Sequence, residues 1–125
     1  MQSPKQVLLI IEDNPLLTDL YKTAFEKEGV EVLVAHDGET GFNIIKEKRP
    51  HLVVLDLLMP GIDGFGVLER VRNDPDVAHT KVVVLTIVSE KEAQEKAHRL
   101  GVADYLIKSE LMVQEIVERV LKHFS

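Results

Sequence analysis

Two short runs without a polar residue, 52–55 (LVVL) and 82–85 (VVVL), constrain the fold of this chain most strongly. A strand with one face in water alternates apolar and polar residues, whereas a strand covered on both faces of a parallel sheet is continuously apolar. Short runs that are rich in β-branched valine favour such strands over helices. Helices are therefore expected on both faces of the sheet that contains these runs.

Similar stretches recur along the chain and alternate with segments of helical periodicity. The predicted strands are residues 6–11, 31–35, 52–56, 81–87 and 103–107. This alternation predicts a doubly wound α/β fold with a five-stranded parallel sheet, because parallel neighbours need crossovers and these are right-handed in about 98% of cases. Two strand orders fit it, and the flavodoxin-like order 2-1-3-4-5 places the first and third strands at a switch point where ligands bind. A length of 125 residues is typical of one domain, so residues 1–125 are expected to form a single unit.

Local signals mark several helix ends. Asn14 before a proline is typical of a helix start, and Gly29 is expected to end that helix. Ser89 followed by Glu92 resembles a capping box, with Gly101 at the end of the same helix. The last helix has an apolar stripe at spacings of three and four residues, which predicts a buried face. That stripe consists of Val113, Ile116, Val117, Val120, Leu121 and Phe124.

The helix after Ser89 differs from the others in its composition. Residues 90–99 offer only Ala93 and Ala97 as apolar side chains, so this helix is expected to pack shallowly on the sheet. Weak burial predicts low local stability, and elements that move in molecular switches are drawn from that end of the range.

Composition excludes several kinds of function. A net charge of −6 and a pI near 5.3 argue against direct nucleic-acid binding, whose affinity comes largely from neutralised phosphates. A chain without cysteine has no disulfide, thiolate metal site or cysteine nucleophile. No apolar run approaches the ~20 residues of a membrane helix, and residues 1–5 lack the pattern of a signal peptide. We therefore expect a cytoplasmic protein that binds neither nucleic acid nor membrane directly.

Polar and charged residues follow the predicted strands at one edge of the sheet. Because the carboxyl ends of parallel strands meet on one rim, these side chains are expected to converge on a small site. In chain order they are Glu12 and Asp13 after the first strand, Asp56 at the third, Thr86 at the fourth and Lys108 after the fifth.

Each of these residues also has an ordinary structural explanation. Asp13 could cap the first helix, although Asn14 is better placed for that role. An acid that ends a buried strand, as Asp56 does, is costly to desolvate unless a cation pairs with it, so either Lys108 or a metal ion is implied. Thr86 alone would mean little, because threonine is common in strands.

Together these residue types supply the parts of a phosphoryl-transfer site, in which the protein mainly positions groups and offsets charge. Asp56 would be the nucleophile. Mg²⁺ prefers oxygen ligands and keeps several waters, so Asp13, Asp56 and one backbone carbonyl would suit it, with Glu12 held through a water. Lys108 would pair with the phosphoryl group, and Thr86 would donate a hydrogen bond to one of its oxygens.

The run 56–64 (DLLMPGIDG) and the separated rim residues resemble the receiver domain of response regulators. The other matching positions are Glu12, Asp13, Thr86 and Lys108. The resemblance covers essentially the whole chain and implies the 2-1-3-4-5 strand order. It also implies a two-component mechanism, in which a sensor histidine kinase or a phosphotransfer protein donates a phosphoryl group from a phosphohistidine to Asp56.

The same resemblance assigns the ligands of a magnesium cofactor. Asp13 and Asp56 would ligate the ion together with the backbone carbonyl of Leu58, and Glu12 would contribute to the acidic site. Lys108 would contact the phosphoryl group. The domain would then catalyse only its own phosphorylation and dephosphorylation, without acting as an enzyme on other substrates.

The resemblance further implies a switch. Thr86 would move toward the phosphate, and Tyr105, which matches the family's switch aromatic, would turn inward. Tyr105 could equally be an ordinary half-buried aromatic residue on a strand. The movement would reshape the surface formed by the fourth helix, the fifth strand and the fifth helix, where a downstream protein is expected to bind.

Three positions depart from the family pattern. Glu12 stands where aspartate is more common, and its extra methylene is expected to affect the metal or its water. Ile87 replaces a small residue after the threonine and is expected to narrow access to Asp56. Ser109 replaces a proline that usually follows a cis bond. Either the bond before Ser109 is also cis, at a cost of about 2.5–4 kcal/mol, or it is trans, which would move Lys108.

Other function classes fit less well. A flavin or nucleotide binder would need a phosphate-cradling loop after the first strand, and residues 12–15 (EDNP) are the reverse of one. A phosphatase with an aspartyl nucleophile usually has a second aspartate two positions later, where this chain has Leu58. The five histidines lack paired ligand spacing and are not expected to bind metal. The remaining alternative is a receiver-like protein-binding module that works without phosphate.

Overall fold

The computed structural model describes residues 5–124; residues 1–4, which belong to the segment without a signal-peptide pattern, lie outside them, as does Ser125. Within residues 5–124 the strands are β1 (Val7–Ile11), β2 (Glu31–Ala35), β3 (Leu52–Leu55), β4 (Val82–Thr86) and β5 (Asp104–Ile107). The helices are α1 (Pro15–Glu26), α2 (Gly38–Lys48), α3 (Gly64–Asn73), α4 (Lys91–Arg99) and α5 (Val113–Leu121). Short 3-10 helices cover Lys108–Glu110 and Lys122–Phe124. None of the helices in this part of the chain is long and apolar enough to cross a membrane.

The five strands form one parallel sheet in the order β2-β1-β3-β4-β5. The predicted doubly wound fold and its flavodoxin-like order are therefore confirmed, and the predicted strand ends are correct to within one residue. β1 pairs with both β2 and β3, with Ile11 opposite Ala35 on one side and Leu55 on the other. This register brings the carboxyl ends of β1 and β3 side by side.

Both faces of the sheet are covered, as the two apolar runs predict. Every residue of β3 and β4 is buried. Alternate side chains of the strands pack on one side against buried residues of α2, α3 and α4, and on the other side against those of α1 and α5. The stripe predicted for the last helix faces the core, where Ile116, Val117 and Val120 are buried.

The structure confirms one predicted helix cap and contradicts another. The side chain of Asn14 accepts hydrogen bonds from the backbone N–H groups of Leu16 (3.0 Å) and Leu17 (3.4 Å), so Asn14 caps α1 as expected. The capping box predicted for Ser89 and Glu92 is wrong, because α4 begins one residue later and Glu90 occupies the cap position. Glu92 is then the second helical residue, not the third that a capping box requires.

α4 packs loosely, as its composition predicts. Ala97 is its one buried residue. A second contact comes from Lys96, whose ammonium lies 4.4 Å from the centre of the Phe65 ring on α3. Such a cation–π contact at an exposed position stabilises by about 0.5–1 kcal/mol, which is little for a helix of three turns or fewer. The low local stability of α4 stays a prediction.

The first residue of β5, Asp104, is joined to the end of the chain by polar contacts. Its carboxylate accepts hydrogen bonds from Arg119 Nη2 (2.9 Å) and pairs with His123 Nε2 (3.0 Å). Burial alone would raise the pKa of Asp104, but the bonds from His123 and Arg119 outweigh burial and lower the pKa below its ordinary value of 3.8. In the native state Asp104 therefore binds a proton less readily than it does in the unfolded chain.

Replacing Asp104 by asparagine is expected to lower the free energy of unfolding by about 1 kcal/mol at pH 7, because the cluster is partly exposed. A carboxylate whose pKa is lowered in the native state stabilises the fold fully at pH values above its ordinary pKa. This stabilisation is lost as the pH falls through the pKa of the native state. The difference between the two proteins should therefore shrink in acid, which urea unfolding at a series of pH values would measure. A difference as large at pH 3 as at pH 7 would contradict this assignment.

Candidate functional site

Three carboxylates meet at the carboxyl ends of β1 and β3. Glu12 and Asp56 are buried, with 3% and 6% of their surface exposed, whereas Asp13 is exposed. One oxygen from each of these three side chains lies within 4.8 Å of the others. The acidic part of the rim predicted from the strand ends is therefore present and compact.

Backbone pairing continues past the last residue of each strand and holds the buried acids in place. The N–H of Glu12 donates to Ala35 O, and the N–H of Asp56 donates to Ile11 O, both at 3.0 Å. The sheet therefore fixes the backbone on which these two carboxylates stand. Asp13 lies one residue beyond, in the turn that leads to α1, which explains its exposure.

Lys108 supplies the cation that a buried Asp56 requires. Its ammonium donates to Asp56 Oδ2 (2.9 Å) and to Glu12 Oε1, and its side chain is 13% exposed. Burial raises the pKa of Glu12. Burial by itself would lower the pKa of Lys108, but its hydrogen bonds to Glu12 and Asp56 outweigh burial and raise the pKa, so the ammonium stays charged at neutral pH.

The loop after β3 also contacts the central acid. The N–H of Leu58 donates to Asp56 Oδ1 (3.1 Å), so each oxygen of this carboxylate has one protein donor. Leu58 itself is half exposed. The role predicted for the Leu58 carbonyl as a metal ligand stays a prediction.

Thr86 and Tyr105 meet at a residue that the sequence does not single out. Thr86 is fully buried, and its hydroxyl accepts a hydrogen bond from the N–H of Val88 (3.4 Å). The hydroxyl of Tyr105 donates to Val88 O (2.8 Å), and burial raises its pKa so that it remains a donor. Within residues 5–124 no hydrogen bond joins Thr86 to Asp56. Val88 makes both bonds through its backbone N–H and C=O, so its residue type gives no indication that it connects Thr86 with Tyr105.

Two departures from the family pattern can be compared with the structure. The bond between Lys108 and Ser109 is trans, since residues 5–124 contain no cis peptide, yet Lys108 still contacts Asp56. The side chain of Ile87 is 60% exposed. Its predicted effect on access to Asp56 stays a prediction.

The donor set suits a hard divalent cation. Mg²⁺ and Mn²⁺ prefer carboxylate oxygens, and three of these converge here on a sheet that holds two of them rigidly. Among residues 5–124 no histidine joins this group. The site therefore combines a cluster of carboxylate oxygens with a charged ammonium, and phosphoryl transfer uses groups of these kinds.

A family model described as the response regulator receiver domain matches residues 8–121. The match runs from β1 through α5 and includes all the rim residues.

Individual relatives agree with this match. The DNA-binding dual master transcriptional regulator RpaA of Synechocystis is 35% identical over 113 residues, which cover 90% of this chain and 46% of that protein. The chain thus spans about half the length of this curated relative. The receiver domain of the Francisella response regulator 1452 is 27% identical, with a TM-score of 0.86 over 96% of this chain and 97% of that chain. The Mn²⁺-bound form of response regulator Rcp1 is 26% identical, with a TM-score of 0.80 over 95% of this chain and 91% of that chain.

Proposed function

Because this chain belongs to the family of response regulator receiver domains, we propose that Asp56 is its phosphoacceptor, taking a phosphoryl group from a phosphohistidine. Domains of this family act in two-component signalling with a histidine kinase or phosphotransfer partner and a downstream effector. The observation that carries the assignment of Asp56 is its position. It is a buried carboxylate at the centre of the rim, paired with Lys108 and adjacent to Glu12 and Asp13.

The proposed reaction forms one bond and breaks one. A carboxylate oxygen of Asp56 attacks the phosphorus of the donor, and the bond from phosphorus to the imidazole nitrogen breaks. The electron pair of that bond leaves with the imidazole, and the product is an acyl phosphate on Asp56. Lys108, already beside Asp56 Oδ2, pairs with an oxygen of the transferring group as negative charge is redistributed. Thr86 would donate a hydrogen bond to a second oxygen of the product.

Asp13 and Asp56, with the backbone carbonyl of Leu58, are proposed to hold a Mg²⁺ ion. When bound, such an ion offsets the charge of the incoming phosphoryl group and of the surrounding acids. The clustered oxygens support this assignment, and the Mn²⁺-bound form of Rcp1 is a structural relative that holds a divalent ion.

The phosphoryl group would act on Thr86 and Tyr105, which are both hydrogen-bonded to the backbone of Val88. It brings a charge of about −1.5 to −2 and new acceptor oxygens to the rim. Thr86 responds by turning its hydroxyl toward that charge and releasing the N–H of Val88. Tyr105 is bonded to the carbonyl of the same residue, so the change reaches β5 and the weakly buried α4.

We propose that output passes through a protein that contacts the surface of α4, β5 and α5. The net charge of −6 opposes direct contact of this chain with nucleic acid. RpaA is described as a DNA-binding transcriptional regulator, and the chain covers 46% of its length. A role in transcription would therefore belong to an effector that this domain controls. A cytoplasmic location, a single domain over residues 1–125 and the lack of other enzymatic activity stay predictions.

Phosphorylation of Asp56 is tested by intact-mass spectrometry after incubation with acetyl phosphate and Mg²⁺. The wild-type protein should gain the mass of one phosphoryl group, and Asp56→Asn should gain none, because an amide is too weak a nucleophile. Chelation of Mg²⁺ should prevent the gain. A downstream partner would then be sought with the phosphorylated form.

Asp63→Asn is the matched control. Asp63 lies in the same loop, and its side chain caps α3 by accepting the N–H of Gly66 (2.8 Å). Asparagine caps a helix about as well as aspartate, so this variant should be phosphorylated normally. If wild type and Asp56→Asn gain equal mass, or neither gains any, the assignment fails. The second result would favour the phosphate-independent binding module.

A further inference from the structure

Both carboxylate oxygens of Glu12 are bonded to protein donors. Oε2 accepts the N–H of Asn14 (3.0 Å), and Oε1 accepts the ammonium of Lys108. The side chain is almost completely buried. Protein donors therefore use about two of the roughly four lone-pair sites of this buried carboxylate, whereas the carboxylate of Asp13 is exposed and accessible.

Lys108 must cross a considerable distance to reach this rim. It follows β5, which lies at one edge of the sheet, and β4 and β3 separate it from β1. Neighbouring strands are about 4.8 Å apart. A lysine side chain is long and flexible and has about 2 kcal/mol of rotamer entropy, so its ammonium needs partners to remain in one place. Asp56 is one partner, but it is the group that the reaction converts to an acyl phosphate.

We propose that Glu12 is a positioning residue for Lys108, holding the ammonium beside Asp56 before and during phosphoryl transfer. This inference rests on the proposed function. It differs from the expected role of Glu12 as a water-mediated metal ligand, and it leaves Asp13 and Asp56 as the side chains that bind the ion. The bond from Asn14 fixes Glu12, and Glu12 in turn fixes Lys108.

The extra methylene of glutamate has a use in this arrangement. The carboxylate accepts the N–H two residues later in the chain and also reaches the ammonium of Lys108, which follows β5. The Glu12 carboxylate also keeps the Lys108 ammonium at the rim when the carboxylate of Asp56 is converted to an acyl phosphate. Lys108 can then exchange Asp56 Oδ2 for a phosphoryl oxygen without leaving Glu12.

A double-mutant cycle tests the proposal with Glu12→Gln, Lys108→Met and the double variant. The rate of Asp56 phosphorylation by acetyl phosphate would be measured up to saturating Mg²⁺. Misplacing a catalytic group by about 1 Å can slow a reaction about 100-fold, so Glu12→Gln should slow the saturated rate by about 10- to 100-fold. In the Lys108→Met background the same substitution should change the residual rate less than about twofold, since the group that Glu12 positions is absent.

A second measurement does not depend on phosphorylation. In urea unfolding without Mg²⁺, the two substitutions should be non-additive, because each one removes the same ion pair. Asp19→Asn is the control, since Asp19 is exposed on α1 and should change neither rate nor stability appreciably in either background.

Several results would overturn the proposal. If excess Mg²⁺ restores the rate of Glu12→Gln, Glu12 acts on the ion. If Glu12→Gln slows the reaction by the same factor with and without Lys108, or the unfolding effects add, Glu12 does not act through Lys108. If the wild-type protein is phosphorylated but the effects of the two substitutions are additive, this inference is wrong and the proposed function stands. A wild-type protein that takes up none overturns the proposed function and this inference with it.

Discussion

Replacing Arg72 by methionine is expected to lower the free energy of unfolding by about 2–4 kcal/mol. The guanidinium of Arg72 donates to four backbone carbonyls in two loops. They belong to Ala78 (2.9 Å) and Thr80 (2.7 Å) before β4, and to Leu100 (2.7 Å) and Gly101 (3.2 Å) after α4. Methionine keeps most of the apolar stem but leaves these carbonyls without a charged donor. A bond to a charged group contributes about 1.5–3 kcal/mol when it is buried, and each bond here contributes less, because three of them are partly buried and the bond to Gly101 is exposed.

The loss should be greatest at the end of α4. Because α4 buries only Ala97, the bonds from Arg72 to Leu100 and Gly101 are a large part of what attaches its last turn to α3. Amide hydrogen exchange in α4 should therefore accelerate more than exchange in α5, whose buried stripe is intact.

Arg70→Met is the matched control for Arg72→Met, measured by the same urea unfolding experiment. Arg70 lies two residues earlier on α3, where its exposed guanidinium pairs with Glu39 (2.9 Å) and lies over the Phe42 ring. Exposed pairs contribute at most about 1 kcal/mol, so this variant should be close to wild type. If the free energies of unfolding of the two variants differ by less than about 1 kcal/mol, the Arg72 bonds do not stabilise the attachment of α4 to α3 as inferred.

The fold could be predicted because its largest constraints are local. A continuously apolar run such as 52–55 indicates by itself a strand that is buried on both faces. Because crossovers between parallel strands are right-handed, the alternation of strands and helices is then compatible with only a few topologies. Helix ends were less predictable. The pair Ser89 and Glu92 has the right spacing for a capping box, but α4 starts at Lys91 and the spacing has no effect.

The site was predictable where residue type determines the role. A carboxylate that ends a fully apolar strand needs a cation, and Lys108 supplies it for Asp56. Contacts made through the backbone could not be predicted, since any residue has a carbonyl and an N–H. The meeting of Tyr105 with Val88 is one such contact, and the four carbonyls bonded by Arg72 are others. The bond between Glu12 and Lys108 joins residues far apart in the chain, so neither residue alone indicates it.

The glycine that ends the run 56–64 shows how the site depends on backbone packing. Gly64 is buried at the start of α3, and its N–H donates to Leu57 O (3.1 Å). A Cβ at this position would lie 2.3 Å from the carbonyl oxygen of Asp56 and 2.6 Å from the Cα of Leu57. Both are backbone atoms and cannot rotate away, so any side chain here must push α3 from the end of β3.

Gly64→Ala is therefore expected to lower the free energy of unfolding by about 2–4 kcal/mol, since overpacking a filled interior costs about 1–3 kcal/mol and a hydrogen bond is lost as well. The same displacement moves the backbone of Asp56, so phosphorylation by acetyl phosphate should also slow, by about tenfold or more. Urea unfolding and the phosphorylation rate would be measured on the same preparation.

Gly66→Ala separates this effect from the general response of α3 to alanine. At Gly66 an added Cβ would meet the Cγ2 methyl of Ile62 at 2.7 Å, which is a side-chain atom that moves when the Ile62 side chain rotates about its Cα–Cβ bond, unlike the backbone atoms met at Gly64. Alanine also favours a helix over glycine by about 1 kcal/mol, so Gly66→Ala should be near wild type in stability and phosphorylation. If Gly64→Ala and Gly66→Ala have equal stabilities and phosphorylation rates, the close approach of residue 64 to the Asp56 carbonyl does not limit the packing of α3. A loss confined to Gly64→Ala would mean that this glycine keeps α3 close enough to hold the phosphoacceptor in place.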